Sequence, residues 1–306
     1  MRYASMQPDK DSNMSRRSTS PRTPKRRSTV PKRVSSPKPQ PSAARLKRAA
    51  ALAAKKASAE ELDQTLWEHT DGIAMPFYCS GRPKPYFRGM LHFYSALCSP
   101  LWSGYQLSLC HTAQQTWAVL LACASATCML GASGSYHYPP WKTEAQETLM
   151  SKFDYGGIYL QIAFSAAPMY LLLLPSPANW LVISIMGVCA ACGIFLTFGP
   201  IGHLGRHAGA LVYIVMGLMQ TLPMLTTTFT ERSMWSQLLT SEQNLLIGLA
   251  LAYLVGSQIY ANATPRLWPR VFGFHELWHL LVFVGSASSW AVNCSLLKRS
   301  QELMII

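Results

Sequence analysis

Near the start of the last long apolar run stands HELWH, in which His275 and His279 lie four residues apart with Glu276 beside the first. On a helix such a pair is about 40° apart around the axis and about one turn apart along it, so both imidazoles face one point. A helix offers two nitrogen ligands to zinc in this way, and a cation held there needs a third protein ligand from elsewhere in the chain. The same residues match His-Glu-x-x-His, in which metalloproteases use the glutamate as general base. Glu276 projects about 100° from His275, so a place behind the ligands or at the membrane interface suits it equally.

The elements that must position these residues follow from composition. Of 306 residues 49% are hydrophobic and 13% charged, with a formal charge of +13. That average joins two unlike parts: residues 1–56 hold 16 Lys/Arg against Asp9 and Asp11, a balance of +14, and the remainder balances at −1. Beyond the tail the chain divides into apolar runs of roughly the 20 residues a helix needs to cross the hydrocarbon core, which excludes a soluble domain. The expected fold is therefore an all-α membrane bundle of seven spans: Met90–Leu109, Thr116–Tyr136, Tyr155–Leu174, Asn179–Phe198, Ala208–Thr226, Asn244–Ala261 and Phe274–Val292. Pro100 makes the first the weakest.

Residues 1–56 are expected to be a disordered tail, because Ser, Pro, Lys and Arg without large apolar side chains cannot offset the entropy of ordering. It reads as a solvated charge run, as a polybasic segment held on anionic lipid headgroups and loosened by phosphorylation at Ser20, Thr23 or Ser36, or as a transit peptide. Residues 57–89 are expected to form an interfacial helix and a Pro-rich linker. Nucleic acid is not an expected partner, and 294–306 read as a short extracytoplasmic end.

Counting Lys and Arg in the loops puts the N-terminus in the cytosol: Lys142, Lys152, Arg206, Arg266 and Arg270 fall inside and Arg232 outside. With that orientation His137 at the end of span two, Asp154 at the start of span three, and His275 and His279 at the start of span seven share one membrane level. Ionisable groups at membrane depth cost about 2.5 kcal/mol or more unless they meet a cavity, a partner or a metal. Three imidazoles and a carboxylate suit zinc better than calcium or magnesium. The other histidines, His69, His92, His111, His203 and His207, read as helix-end or loop residues, with His203 on the same face as the site. Of the eight cysteines, Cys98, Cys123, Cys128, Cys189 and Cys192 fall inside apolar runs and read as packing residues; Cys110 and Cys294 could meet on one face.

GASGSYH ending at His137, MSKFDYGGIY around Asp154 and FGFHELWHLLVFVGS around His275 and His279 together resemble the adiponectin-receptor, progestin-receptor and hemolysin III family of seven-span proteins. Its pattern, Ser-x3-His, then Asp, then His-x3-His, is present in order over roughly Arg82 to Asn293. RPKPYFRGMLH resembles the hemolysin III branch, and the Asn-Ile-Trp-Thr-His stretch of the adiponectin-receptor branch is missing, which argues against an adiponectin-like hormone. The resemblance implies a zinc on His137, His275 and His279, Asp154 contacting it through a water and Ser133 supporting the site. It also implies a membrane lipid as substrate or ligand. Three function classes follow: a zinc-dependent lipid amide hydrolase of ceramidase type, a signalling receptor with a structural zinc, and a lytic protein. An intramembrane protease using Glu276 is a further alternative.

Overall fold

The computed structural model describes residues 78–79, 84–199, 204–226, 233–268 and 270–305, with side chains as far as 300. The expectations for the tail, for most of the interfacial helix and linker, and for His69 and His203 lie outside the described residues. The described residues form nine α-helices in order: α1 Met90–Leu97, α2 Ser99–Ser108, α3 Ala113–His137, α4 Glu144–Phe164, α5 Ala167–Leu173, α6 Ala178–Phe198, α7 Arg206–Leu225, α8 Thr240–Asn262 and α9 Phe274–Ile305. The described residues contain no strand, only an isolated bridge between Trp268 and Phe272.

The helix starts are written into the chain. Thr112 Oγ1 accepts the Gln115 amide at 3.2 Å while Gln115 Oε1 accepts the Thr112 amide at 3.1 Å, a reciprocal cap that opens α3. Thr143 Oγ1 accepts the Gln146 amide at the start of α4, a one-way cap, and Glu144 and Glu147 fall in its first turn, where the helix dipole favours negative charge. Where α4 gives way to α5, Pro168 removes one backbone donor. The Ser165 carbonyl at that break accepts from Ser289 Oγ and Asn293 Nδ2 of α9, both at 3.2 Å, so that carbonyl is not left partnerless in an apolar surrounding.

Among the described residues six helical stretches are long and apolar enough to cross a membrane: α3, α4 continued through α5, α6, α7, α8 and α9. Their outward faces carry Val188, Phe195, Leu211, Leu218 and Leu222, all more than 60% exposed, whereas Gln106, Gln115, Gln161, Asn179 and Asn293 are buried. Apolar side chains outside and amides inside suit a lipid surround, and Gln106, Gln115, Gln161 and Asn293 donate to partners across the bundle. The expected first span is instead two consecutive helices, α1 and α2, divided at Cys98, with Pro100 in the first turn of the second. Neither is long enough to cross alone. The last helix overruns its expected end at Val292: Leu296 and Leu297 remain buried, and Arg299 Nη2 reaches Glu242 Oε2 at 2.8 Å. All eight cysteines are free thiols, and Cys110 and Cys294 are linked only through Gln106, whose backbone carbonyl and side-chain amide they meet.

Candidate metal centre

Because α3 ends where α9 begins, their terminal histidines meet. His137 Nε2 lies 3.1 Å from His275 Nε2, and the ring centroids of the trio are separated by 4.6, 5.0 and 4.7 Å. One nitrogen from each of His137, His275 and His279 falls within 4.8 Å of the other two. Asp154, about three turns into α4, places Oδ2 3.4 Å from His137 Nε2, yet it stands outside that mutually close set. His137 and His279 are 3% and 4% exposed, so water does not surround the nitrogens they present.

The profile of the family described as haemolysin-III related matches residues 81–290, more than two thirds of the chain. The chain belongs to that family. It is similar to Hemolysin-3 of Bacillus cereus, 28% identical over 50% of this chain and 61% of that protein. It is also similar to the rice heptahelical transmembrane protein ADIPOR1, at 22% identity over 58% of this chain and 48% of the relative. A third relative is the adiponectin receptor protein of Drosophila melanogaster, at 27% over 51% of this chain and 37% of its own length. The chain thus spans between about a third and two thirds of these relatives. Family membership and the apolar helices together make it an integral, multi-pass membrane protein.

The donors of this haemolysin-III-related centre fit a zinc-sized ion. At zinc–nitrogen distances of about 2.0–2.1 Å, tetrahedral ligands stand about 3.3 Å apart, close to the His137–His275 separation. A set of three imidazoles is neutral when it binds, and it has the nitrogen softness that calcium and magnesium do not seek. The fold brings these three residues together, with Asp154 beside His137. Ser133 is buried on α3 one turn deeper than His137, on the same face.

Glu276 is occupied. Its Oε1 pairs with Arg88 Nε and its Oε2 accepts the Gly273 amide at 2.7 Å, with the carboxylate side chain 2% exposed. The carboxylate therefore lies behind the ligands, the first of the two places its helical direction permits. Arg88 in turn donates from Nη1 to Tyr78 Oη at 3.3 Å, and Tyr78 Oη lies 2.8 Å from His137 Nδ1. Burial disfavours the Arg88 charge, but Tyr78 and Glu276 outweigh it and raise its pKa above the ordinary value. Beside them Lys84 donates to the Tyr138 and Pro139 carbonyls and lies over the Tyr78 ring. Burial, helped by the nearby Arg88, pushes that ammonium down to about 8.

His92 corrects the reading of the sequence. Although it is near an end of the first expected span, it is fully buried and stacks on His279 with centroids 4.2 Å apart and planes 18° apart. Its Nε2 donates to the His279 carbonyl at 3.1 Å, while its buried Nδ1 has no hydrogen-bond partner. Tyr78 and Arg88 were missed because their partners are 59 and 188 residues away. The one local signal was the PYFRG turn itself, where Gly89 adopts φ 76° and sets its backbone against that of His137.

Proposed function

We propose that this protein is a zinc-dependent hydrolase of lipid amides, working at the cytoplasmic leaflet. The observation that carries the reading is a near set of three imidazole nitrogens with a carboxylate beside only one of them. A structural zinc takes four protein ligands, and three neutral ones leave a position for chemistry. His137, His275 and His279 would hold the ion, which when bound supplies an electrophile that polarises a carbonyl and acidifies water. Asp154 Oδ2 accepts the proton of the attacking water and returns it to the departing amine. Arg88 keeps Glu276 out of that proton traffic. A cavity of about 220 Å³ lies about one to four turns deeper on the helices that carry His137, Asp154 and the HELWH pair, lined by Leu130, Phe283, Trp102 and Trp290 among others, with Gln161 and Asn293 as polar points. It offers an acyl chain an apolar bed in line with the site.

In this reading α1 and α2 cross together as one broken helix, which gives seven crossings with the N-terminus in the cytosol. The loop cations and the basic tail favour that orientation. The fly relative carries a receptor name, and a receptor with a structural zinc is the second reading. Purified protein in liposomes containing an N-acyl sphingoid lipid separates the two. Hydrolysis requires fatty acid release that falls by about 10² or more in Asp154→Asn while the metal stays bound. Metal-loaded wild type that releases no fatty acid from any N-acyl lipid favours the receptor.

A further inference from the structure

Tyr78 precedes the region that the family profile matches, and nothing about the triad required it. It is nonetheless buried, at 7% exposure, with its hydroxyl 2.8 Å from His137 Nδ1. A histidine that ligates through one nitrogen must carry its proton on the other, and the group accepting that proton fixes both tautomer and ring orientation. The His137 nitrogen that faces His275 and Asp154 is Nε2. The nitrogen facing Tyr78 is then the one that carries hydrogen when a cation is held. An Arg guanidinium can only donate, so the 3.3 Å contact from Arg88 Nη1 uses the Tyr78 oxygen as an acceptor, the same role that Nδ1–H of His137 asks of it. Arg88 is itself fixed, because Nε is clamped by the buried Glu276 carboxylate, whose other oxygen is held by the Gly273 amide.

We propose that Tyr78 is a positioning residue of the metal centre: it accepts Nδ1–H of His137, and the Arg88–Glu276 pair holds its hydroxyl in place for that purpose. The proposal rests on the metal reading above and extends it to the segment before the first membrane helix. The chain Glu276, Arg88, Tyr78, His137 joins the start of α9 to the end of α3 through the side chains of Arg88 and Tyr78. Two of the three ligand-bearing positions are thereby held in mutual register by one polar path that is independent of the ion. Glu276 is next to His275 in sequence, so the acidic residue of HELWH acts on the ligand of another helix.

The test uses full-length protein in detergent, with zinc affinity measured by competition against a chromophoric chelator and the site read with cobalt(II). Tyr78→Phe removes one oxygen and keeps the ring. It should weaken zinc binding by about 10–100-fold, the usual scale for losing such a partner, shift the cobalt absorption bands, and leave the melting temperature of the metal-free protein near the wild-type value. Arg88→Gln should shift affinity in the same direction. Histidine-¹⁵N spectra of the wild type give an arm that needs no variant: loaded with zinc, His137 should show a protonated Nδ1. Wild-type affinity and unchanged cobalt bands in Tyr78→Phe, or a protonated Nε2 in His137, would overturn the proposal while the metal reading stands. Wild-type protein that binds no stoichiometric zinc overturns both.

Discussion

Gly89 to Ala is a single methyl placed against the backbone of a ligand. The built Cβ would lie 2.5 Å from His137 Cβ, 2.8 Å from the Tyr138 nitrogen and 2.9 Å from the His137 carbonyl carbon. Two costs combine. A side chain at φ 76° carries left-handed strain of about 1–2 kcal/mol, and a carbon more than an ångström inside contact distance of fixed backbone adds about 1–3 kcal/mol. The expected loss is therefore about 2–5 kcal/mol, unless the end of α3 retreats. Retreat relieves the clash but carries His137 away from His275, so the cost reappears as weaker metal binding. Gly104→Ala is the matched control: it lies within α2 with nothing within 4 Å of the added carbon. That change should be neutral or stabilising by up to about 1 kcal/mol, the helix-propensity gain of Ala over Gly. Thermal unfolding in detergent, with and without zinc, reads both variants. A Gly89→Ala protein with wild-type stability and wild-type metal affinity would refute the close approach of the PYFRG turn to His137.

Replacing Arg88 with Met leaves the Glu276 carboxylate buried with one backbone donor and should cost about 3–5 kcal/mol, whereas adding Glu276→Gln should restore much of it; additive losses in the double-mutant cycle would mean the two do not interact. Lys84 binds its proton less tightly in the fold, at about 8, than in the free chain, at 10.5. The unfolded state therefore holds more protons between those values, and stability should rise with pH from about 8 to 10.5, a rise that Lys84→Met removes in melting curves recorded across that window. Deleting residues 1–56 should leave a folded, metal-loaded membrane domain with weaker binding to anionic vesicles; an unfolded product would contradict the tail's independence. Tags at the two ends of intact cells should show the N-terminal one protected and the C-terminal one accessible, and the reverse would move the metal centre to the other face.

The bundle was legible because lipid imposes a simple rule: runs of about 20 apolar residues become helices, and their ends place whatever follows. His137, Asp154, His275 and His279 could thus be brought together by counting spans alone. The break between α1 and α2 was signalled by Pro100, but a Pro also opens helices without breaking a span, so only the coordinates distinguish the two outcomes. The overrun of α9 was hidden because apolarity stops near Val292, while burial of Leu297 and the Arg299–Glu242 pair across 57 residues extends the helix. His92, Tyr78 and Arg88 were illegible for the same reason. Each is linked to the site by a contact with a residue distant in sequence, and nothing in its own neighbours distinguishes it from a helix-end histidine, a linker tyrosine or an interfacial arginine.

The central claim is that His137, His275 and His279 hold one metal ion, and its most direct test is elemental analysis of purified full-length protein together with X-ray absorption at the zinc edge. The account predicts about one zinc per chain, with three nitrogen ligands at about 2.0–2.1 Å, lost from His137→Ala and from the His275→Ala, His279→Ala double variant but retained in His111→Ala. Stoichiometric zinc that survives the double variant, or wild-type protein prepared with zinc throughout and still free of it, would contradict the account.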